Sequence, residues 1–344
     1  MLNLGINRLS IALICSLGSM YLVACGDDEV DPKSFLNSYR ILALRAEPAQ
    51  LTITDQSQLS LYDFHPQDLK GERPNIEYSW RICPLSLGSL TRYECFIDEI
   101  SLTEDLSDSS SSENALSSDE SEASDNNEAS EPSEEEPDLI GREIPASSSV
   151  MIKPLELYEV FGDDVQSQME QFEMGAGMLG SEMNFFESGI FEMYVKLTVK
   201  IEGEPDFEAV KTMTILFDQA IPVNQHPSIT KVSASVDLKN SPSLNAEEEF
   251  DIEIEVSPES IEEYTAASSA SDQEQGFEEK TISETPFVYY YTTSGRFDSA
   301  VKLVDDNLST LTLGEESGPQ KLFVVLRDGR GGVDLRAFDF EIKE

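Results

Sequence analysis

Phe191-Glu-Met-Tyr-Val-Lys-Leu-Thr-Val-Lys-Ile201, followed by the turn Gly203-Glu-Pro-Asp206 and the return Phe207 to Phe217, is the stretch that decides the fold class. Phe191, Met193, Val195, Leu197, Val199 and Ile201 recur at every second position, the period of a strand that buries one face. Gly203 and Pro205 supply turn chemistry, so the two runs read as an antiparallel hairpin. A hairpin this long has an apolar face that only another layer can cover, and it reads as the closing pair of a β-sandwich.

The chain upstream agrees. Ile76, Tyr78, Trp80 and Ile82 alternate with Glu77, Ser79 and Arg81, which puts the only tryptophan inside a strand. Arg40-Ile-Leu-Ala-Leu-Arg-Ala-Glu-Pro48 is an apolar run ended by proline, and Leu51 to Phe64 supplies a second strand through Leu59 and Leu61. Tyr93 to Ile100 is the expected return strand, and Val150 to Val160 a further strand or turn. Residues 103–138 break the pattern with 14 acidic side chains and no Lys or Arg. Such a mixture cannot bury enough apolar area to offset its ordering entropy, so a disordered insert in a surface loop is expected. A calcium-collecting tail or a glycosylated stalk are the sharper readings of it. Val165, Met169, Phe172, Ala176 and Leu179 form one apolar stripe, which predicts a short helical insert over 163–180.

These elements make a first domain of 37–221. Pro222-Val-Asn-Gln-His-Pro227 reads as a stiff linker, with His226 structural, and a second domain follows over 228–344. Its strands are expected at Val232 to Leu238, at Phe250 to Val256 and at Phe287 to Tyr291, with a long, acidic and disordered loop over 257–284. Leu322-Phe-Val-Val-Leu-Arg-Asp-Gly-Arg-Gly-Gly-Val-Asp334 and the run to Ile342 form a last hairpin, whose glycines permit the turn.

Four resemblances add to this reading. Trp80 resembles the core tryptophan on the third strand of immunoglobulin-like sandwiches, with any buried aromatic as the alternative. The last hairpin resembles the closing strands of bacterial immunoglobulin-like and cadherin-like repeats. Leu22-Val-Ala-Cys25 ends a short apolar leader with one basic residue, Arg8, and resembles the lipobox of bacterial lipoproteins. Taken with Arg40 to Pro48 and Tyr78-Ser-Trp-Arg-Ile-Cys-Pro84, the chain is similar to uncharacterised lipoproteins of myxobacteria and related delta-proteobacteria. The resemblance implies a signal peptide over 1–24, a lipid on Cys25 and a lipidated tether over 25–36. It also implies an anchored place in the cell envelope, with Gly26 favouring the outer membrane. The expected fold is mainly β, two tandem immunoglobulin-like β-sandwiches.

Charge and cysteine use narrow the function. A formal charge of −44 repels nucleic acid and anionic headgroups. In an exported chain Cys83 and Cys95 remain as an isolated pair, which predicts a disulfide. Two cysteines with only His65 and His226 elsewhere make no metal site, and no cofactor motif is present. Both histidines precede proline, and no G-x-S-x-G or H-E-x-x-H occurs, which argues against most hydrolases. What remains is a non-enzymatic lipid-anchored interaction or scaffold module, held to a membrane by its lipid and meeting another envelope protein or a surface glycan. The alternative is a calcium-dependent adhesin or glycan-binding protein using Asp305, Asp306, Asp328 and Asp334.

Overall fold

The computed structural model describes residues 33–86, 88–102, 141–160, 190–217, 221–239, 241–267 and 279–343. The leader, Cys25, most of the tether, the acidic insert 103–138 and the expected helix over 163–180 lie outside the described residues. Strands are numbered along the chain. The long hairpin forms as its alternation predicts: β7 (Ile190–Ile201) and β8 (Phe207–Leu216) pair antiparallel, from Ile190 opposite Leu216 to Val199 opposite Phe207. On its other edge β7 pairs with β4 (Ile76–Cys83), which pairs with β5 (Ile100–Leu102); β2 (Gln50–Thr52) lies beyond β8. A three-stranded sheet of β1 (Arg40–Glu47), β3 (Ser57–Phe64) and β6 (Ser148–Ile152) faces this one.

Leu44, Leu59, Leu61 and Val150 from the smaller sheet meet Trp80, Ile82, Val195 and Leu197 from the larger. Trp80 is 2% exposed, and its indole N–H donates to Ser148 Oγ at 3.0 Å, so burial strands no polar atom. At Pro48, which has no N–H to give a ladder, the chain leaves β1, crosses to the opposite sheet and continues as β2, parallel to β8.

Several segments differ from their sequence expectation. Leu51 to Phe64 is two strands in different sheets. The return strand expected over Tyr93 to Ile100 is confined to Ile100–Leu102, because Arg92 and Tyr93 have φ of 53° and 60°, outside strand geometry. The disulfide between Cys83 and Cys95 is present, with Cα atoms 5.6 Å apart, and closes this irregular loop. Val150 to Val160 divides into the end of β6 and a short helix over residues 154–160, which buries Leu157.

The second half repeats the plan. A sheet in the order β10 (Ser243–Leu244), β19 (Val333–Ile342), β18 (Gly318–Arg327), β14 (Phe287–Thr292), β16 (Val301–Leu303) matches β2-β8-β7-β4-β5 position for position. Here too the short crossing strand β10 runs parallel to the last strand. Opposite it lie β9 (Ile229–Ala234), β11 (Glu249–Val256), β17 (Ser309–Thr312) and β15 (Arg296–Phe297). The protein is therefore mainly β, two tandem sandwiches of immunoglobulin-like topology. The loop expected to be disordered over 257–284 is ordered at both ends as a hairpin of β12 (Glu263–Ala267) and β13 (Glu279–Ser283). Arg330 holds it, lying 4.5 Å from the Tyr264 ring centroid and pairing with Glu262 and Glu284. The strand expected over Val232 to Leu238 stops at Ala234, although Leu238 still reaches the core.

The sandwiches share a second apolar interface. Leu42, Ala43 and Phe64 point outward from the first sandwich, and Phe323, Val325, Val333, Leu335 and Ala337 point outward from the second. The two sets pack on each other, with the Phe64 and Phe323 rings 5.6 Å apart. A register shift between Ile41 and Ala43 lets β1 turn neighbouring apolar residues to both faces. The tether expected over 25–36 is not a free spacer at its end: the Leu36 N–H donates to the Thr292 carbonyl at 2.8 Å, and Leu36 is 2% exposed.

Candidate functional site

The seam between the sandwiches gathers polar groups from distant parts of the chain. Asn224, from the expected linker 222–227, is 1% exposed. Its backbone N–H donates to Gln50 Oε1 at 3.0 Å and its amide to Asp328 Oδ2 at 2.8 Å. His226 accepts the Val333 N–H at Nδ1 (3.0 Å), and its Nε2 lies 2.6 Å from the Ala46 carbonyl, so the ring is neutral with its proton on Nε2. Burial pushes this imidazole below its ordinary range, Arg45 and Lys211 add to that, and Glu47 opposes them. The histidine is structural, as its place between prolines implied, and the segment around it is packed into the seam.

The β18–β19 turn closes the same region. Asp328 accepts the Arg330 N–H at 2.7 Å and the Gly332 N–H at 2.9 Å, while Gly329 and Gly331 have φ of 85° and 112°, which favour glycine. A Cβ on Gly332 would lie 2.1 Å from Asp328 Oδ2, so the turn and its aspartate fit only as a pair.

Between this turn, β1 and β8 lies a groove of about 400 Å³. Its floor and walls are Ile41, Ala43, Leu44, Ala209 and Val333, and two cations enter it, Lys211 from β8 and Arg327 from β18. Lys211 Nζ donates to the Gly331 carbonyl. Arg327 Nη2 donates to the Leu42 carbonyl at 2.6 Å, its guanidinium lies 5.0 Å from the Tyr289 ring centroid, and its Nε has no acceptor among the described residues. Neither cation forms an ion pair with a carboxylate among the described residues. Burial lowers the Lys211 amine to about 8; Asp328 opposes this and Arg327 reinforces it.

A second buried charge behaves differently. Asp63 faces inward at the end of β3 and accepts hydrogen bonds from Tyr39 (2.8 Å), Tyr78 (3.0 Å), Ser147 and Arg73. Its oxygens are saturated, and burial followed by the Asp63 charge pushes the Tyr39 hydroxyl far above the usual phenol range. This cluster ties the end of the first sandwich.

Of the residues singled out in the sequence, Cys25 lies outside the described residues, and Cys83 and Cys95 are bonded to each other. Asp328 and Asp334 are already engaged, Asp334 by the Ile229 N–H at 2.7 Å and by Arg336. They do not join Asp305 and Asp306, and no three His, Cys, Asp or Glu side chains among the described residues gather as metal ligands. Sequence reasoning missed Lys211 and Arg327. Lys211 stands in the alternating return of the hairpin, where a basic residue reads as solvated. The available signal lay elsewhere: Ile41-Leu-Ala-Leu44 and Leu322-Phe-Val-Val-Leu326 are unbroken apolar runs, the mark of strands covered on both faces.

No protein-family model and no curated protein matches this chain. Among solved structures, the Ig1-2 module of the Drosophila receptor protein tyrosine phosphatase DLAR is similar at 9% identity and a TM-score of 0.24, covering 89% of this chain and 100% of that one. The D0-D1 domain of intimin is similar at 8% identity and 0.19, covering 87% and 98%. The Yersinia pseudotuberculosis adhesin InvE is similar at 9% identity and 0.19, covering 87% of this chain and 58% of that one. Likeness this slight carries no weight in assigning a function.

Proposed function

We propose that this protein is a lipid-anchored lipoprotein of the bacterial cell envelope that binds another envelope protein or a surface glycan and catalyses no reaction. The anchor is the lipid that the Leu22 to Cys25 motif implies. Among the described residues no helix is long and apolar enough to cross a membrane.

The observation that carries the binding role is an uncovered apolar patch. Phe287, Tyr289 and Tyr291 alternate onto the outer face of β14; Tyr289 and Tyr291 are packed in the seam. Phe287 is 40% exposed, and so are its cross-strand partner Leu303 (43%) and the partner of Tyr289, Val301 (46%). The face that binds the first sandwich thus continues past it as an exposed strip on the edge pair β14–β16. Contiguous exposed apolar surface of this kind is what association between proteins removes from water. The calcium-dependent reading has less support, because two of its four carboxylates already accept hydrogen bonds inside the fold.

One experiment tests anchor and role together. A photo-crosslinking side chain is placed at Leu303 in the full chain expressed in its own envelope, beside a Cys25→Ser version, and membranes are fractionated. The expected result is a fatty-acid-labelled protein in the membrane fraction with a discrete crosslinked adduct, and release of the Cys25→Ser form. Unlabelled, freely soluble protein without any adduct would refute the proposal.

A further inference from the structure

We propose that the seam groove between β1, β8 and the Gly329–Gly332 turn is a binding site for the carboxylate of a small organic acid, with Lys211 and Arg327 as its cationic contacts. Such a site goes beyond the envelope-binding role and does not require the β14–β16 patch.

A charge anomaly marks the groove. The chain has 67 acidic and 23 basic residues, so a cation in this fold has carboxylates in abundance to pair with. Many cations do: Arg73 has Asp63 and Asp68, Arg330 has Glu262 and Glu284, and Lys196 has Glu99. Lys211 and Arg327 line one groove and face each other's charge, yet among the described residues they hydrogen-bond to backbone carbonyls, Arg327 lies over an aromatic ring, and neither has a carboxylate in ion-pair contact. Asp328 offsets the Lys211 charge only from beyond ion-pair contact, and desolvating two like charges with no carboxylate in contact is unfavourable. The depression of the Lys211 amine agrees with that cost. An entering carboxylate supplies what is missing: acceptors for the two ammonium hydrogens that Gly331 leaves free, and a negative charge between two positive ones.

The surroundings select the ligand class. A volume of about 400 Å³ suits a sugar acid or the end of a peptide, within the range of ordinary ligand sites. Ala43, Leu44 and Val333 give the ligand an apolar flank. Glu208 also lines the groove, and with the −44 charge of the chain it disfavours polyanions such as nucleic acid or polyphosphate. A single carboxylate on a compact, partly apolar body fits both conditions. Sugar acids and peptide C termini present that same group, and the test distinguishes them.

Thermal unfolding of the mature full-length chain is followed at pH 7 and constant ionic strength with increasing sodium D-glucuronate or alanyl-alanine. Glucose and alanyl-alanine amide serve as neutral-end controls. At least one carboxylate is expected to raise the midpoint in proportion to the logarithm of its concentration, beyond its control. Glucuronate alone doing so assigns a sugar acid; the dipeptide alone assigns a peptide end. Lys211→Met should abolish the response, read against that variant's own unliganded midpoint. Arg327→Lys should weaken it, and in the parent it should fade as pH rises past about 8. No response to either carboxylate, or the same response in Lys211→Met, overturns the proposal.

Discussion

Phe323→Ala offers a direct measure of how firmly the two sandwiches hold each other. Phe323 lies on β18, but its neighbours Leu322 and Val324 fill the core of the second sandwich while Phe323 points the other way. It is 4% exposed, packed in one apolar cluster with Leu36, Leu42 and Phe64 from the other side of the seam. If the sandwiches were independent, the ring would stand in water and its removal would cost less than about 1 kcal/mol, as for an ordinary surface change. In the packed seam the substitution deletes a buried aromatic side chain and leaves a cavity, a loss of about 3–4 kcal/mol. For a chain of this size each kcal/mol lowers the midpoint by about 2 °C, so a fall of about 6–8 °C is expected in calorimetry. The two sandwiches should also melt in one transition. A second variant, Phe64→Leu, completes a double-mutant cycle in which the ring pair should show a coupling of about 0.5–1.5 kcal/mol. A loss below about 1 kcal/mol, or two transitions with only the second displaced, would refute the reasoning.

Two more outcomes are set by the geometry. His226 must be neutral to accept the Val333 N–H, and its folded-state pKa is depressed, so its contribution is fully present above the ordinary histidine pKa and is lost as pH falls through the folded value. The stability advantage of the parent over His226→Gln should therefore shrink between about pH 7.5 and pH 5.5, the range around the ordinary pKa; an advantage that grows on acidification contradicts the neutral assignment. Replacing Cys83 and Cys95 together by serine should cost about 3 kcal/mol in urea unfolding, the chain-entropy value for a loop of 12 residues' separation, and an unchanged midpoint would show that the bond constrains nothing.

Periodicity alone carried much of the fold. Alternation at Phe191 to Ile201, at Phe250 to Val256 and at Ile76 to Ile82 identifies strands because a half-buried strand must alternate, and that is a local property. The Asp328-Gly329 turn was legible for the same reason, since the conformations it needs are open to few residues. The irregular loop around Arg92 and the hairpin inside 257–284 were not legible, because the positive φ of Arg92 and Tyr93 leaves no mark in the residue pattern and the Arg330 contacts come from outside the segment.

By itself, then, the sequence determined the β class, the tandem plan and the turns, all set by neighbours within a few residues. Only the tertiary structure decided that the sandwiches lie face to face, that the proline-flanked segment is buried, and that Lys211 and Arg327 share a groove. Lys211 meets Gly331 across 120 positions, and Arg327 meets Leu42 across 285. An unbroken apolar run records that a strand is covered on both faces, but hydrophobic burial is non-directional and names no partner. Which surface covers it, and which cations are left without a carboxylate in contact where the surfaces part, is fixed only when the two halves pack.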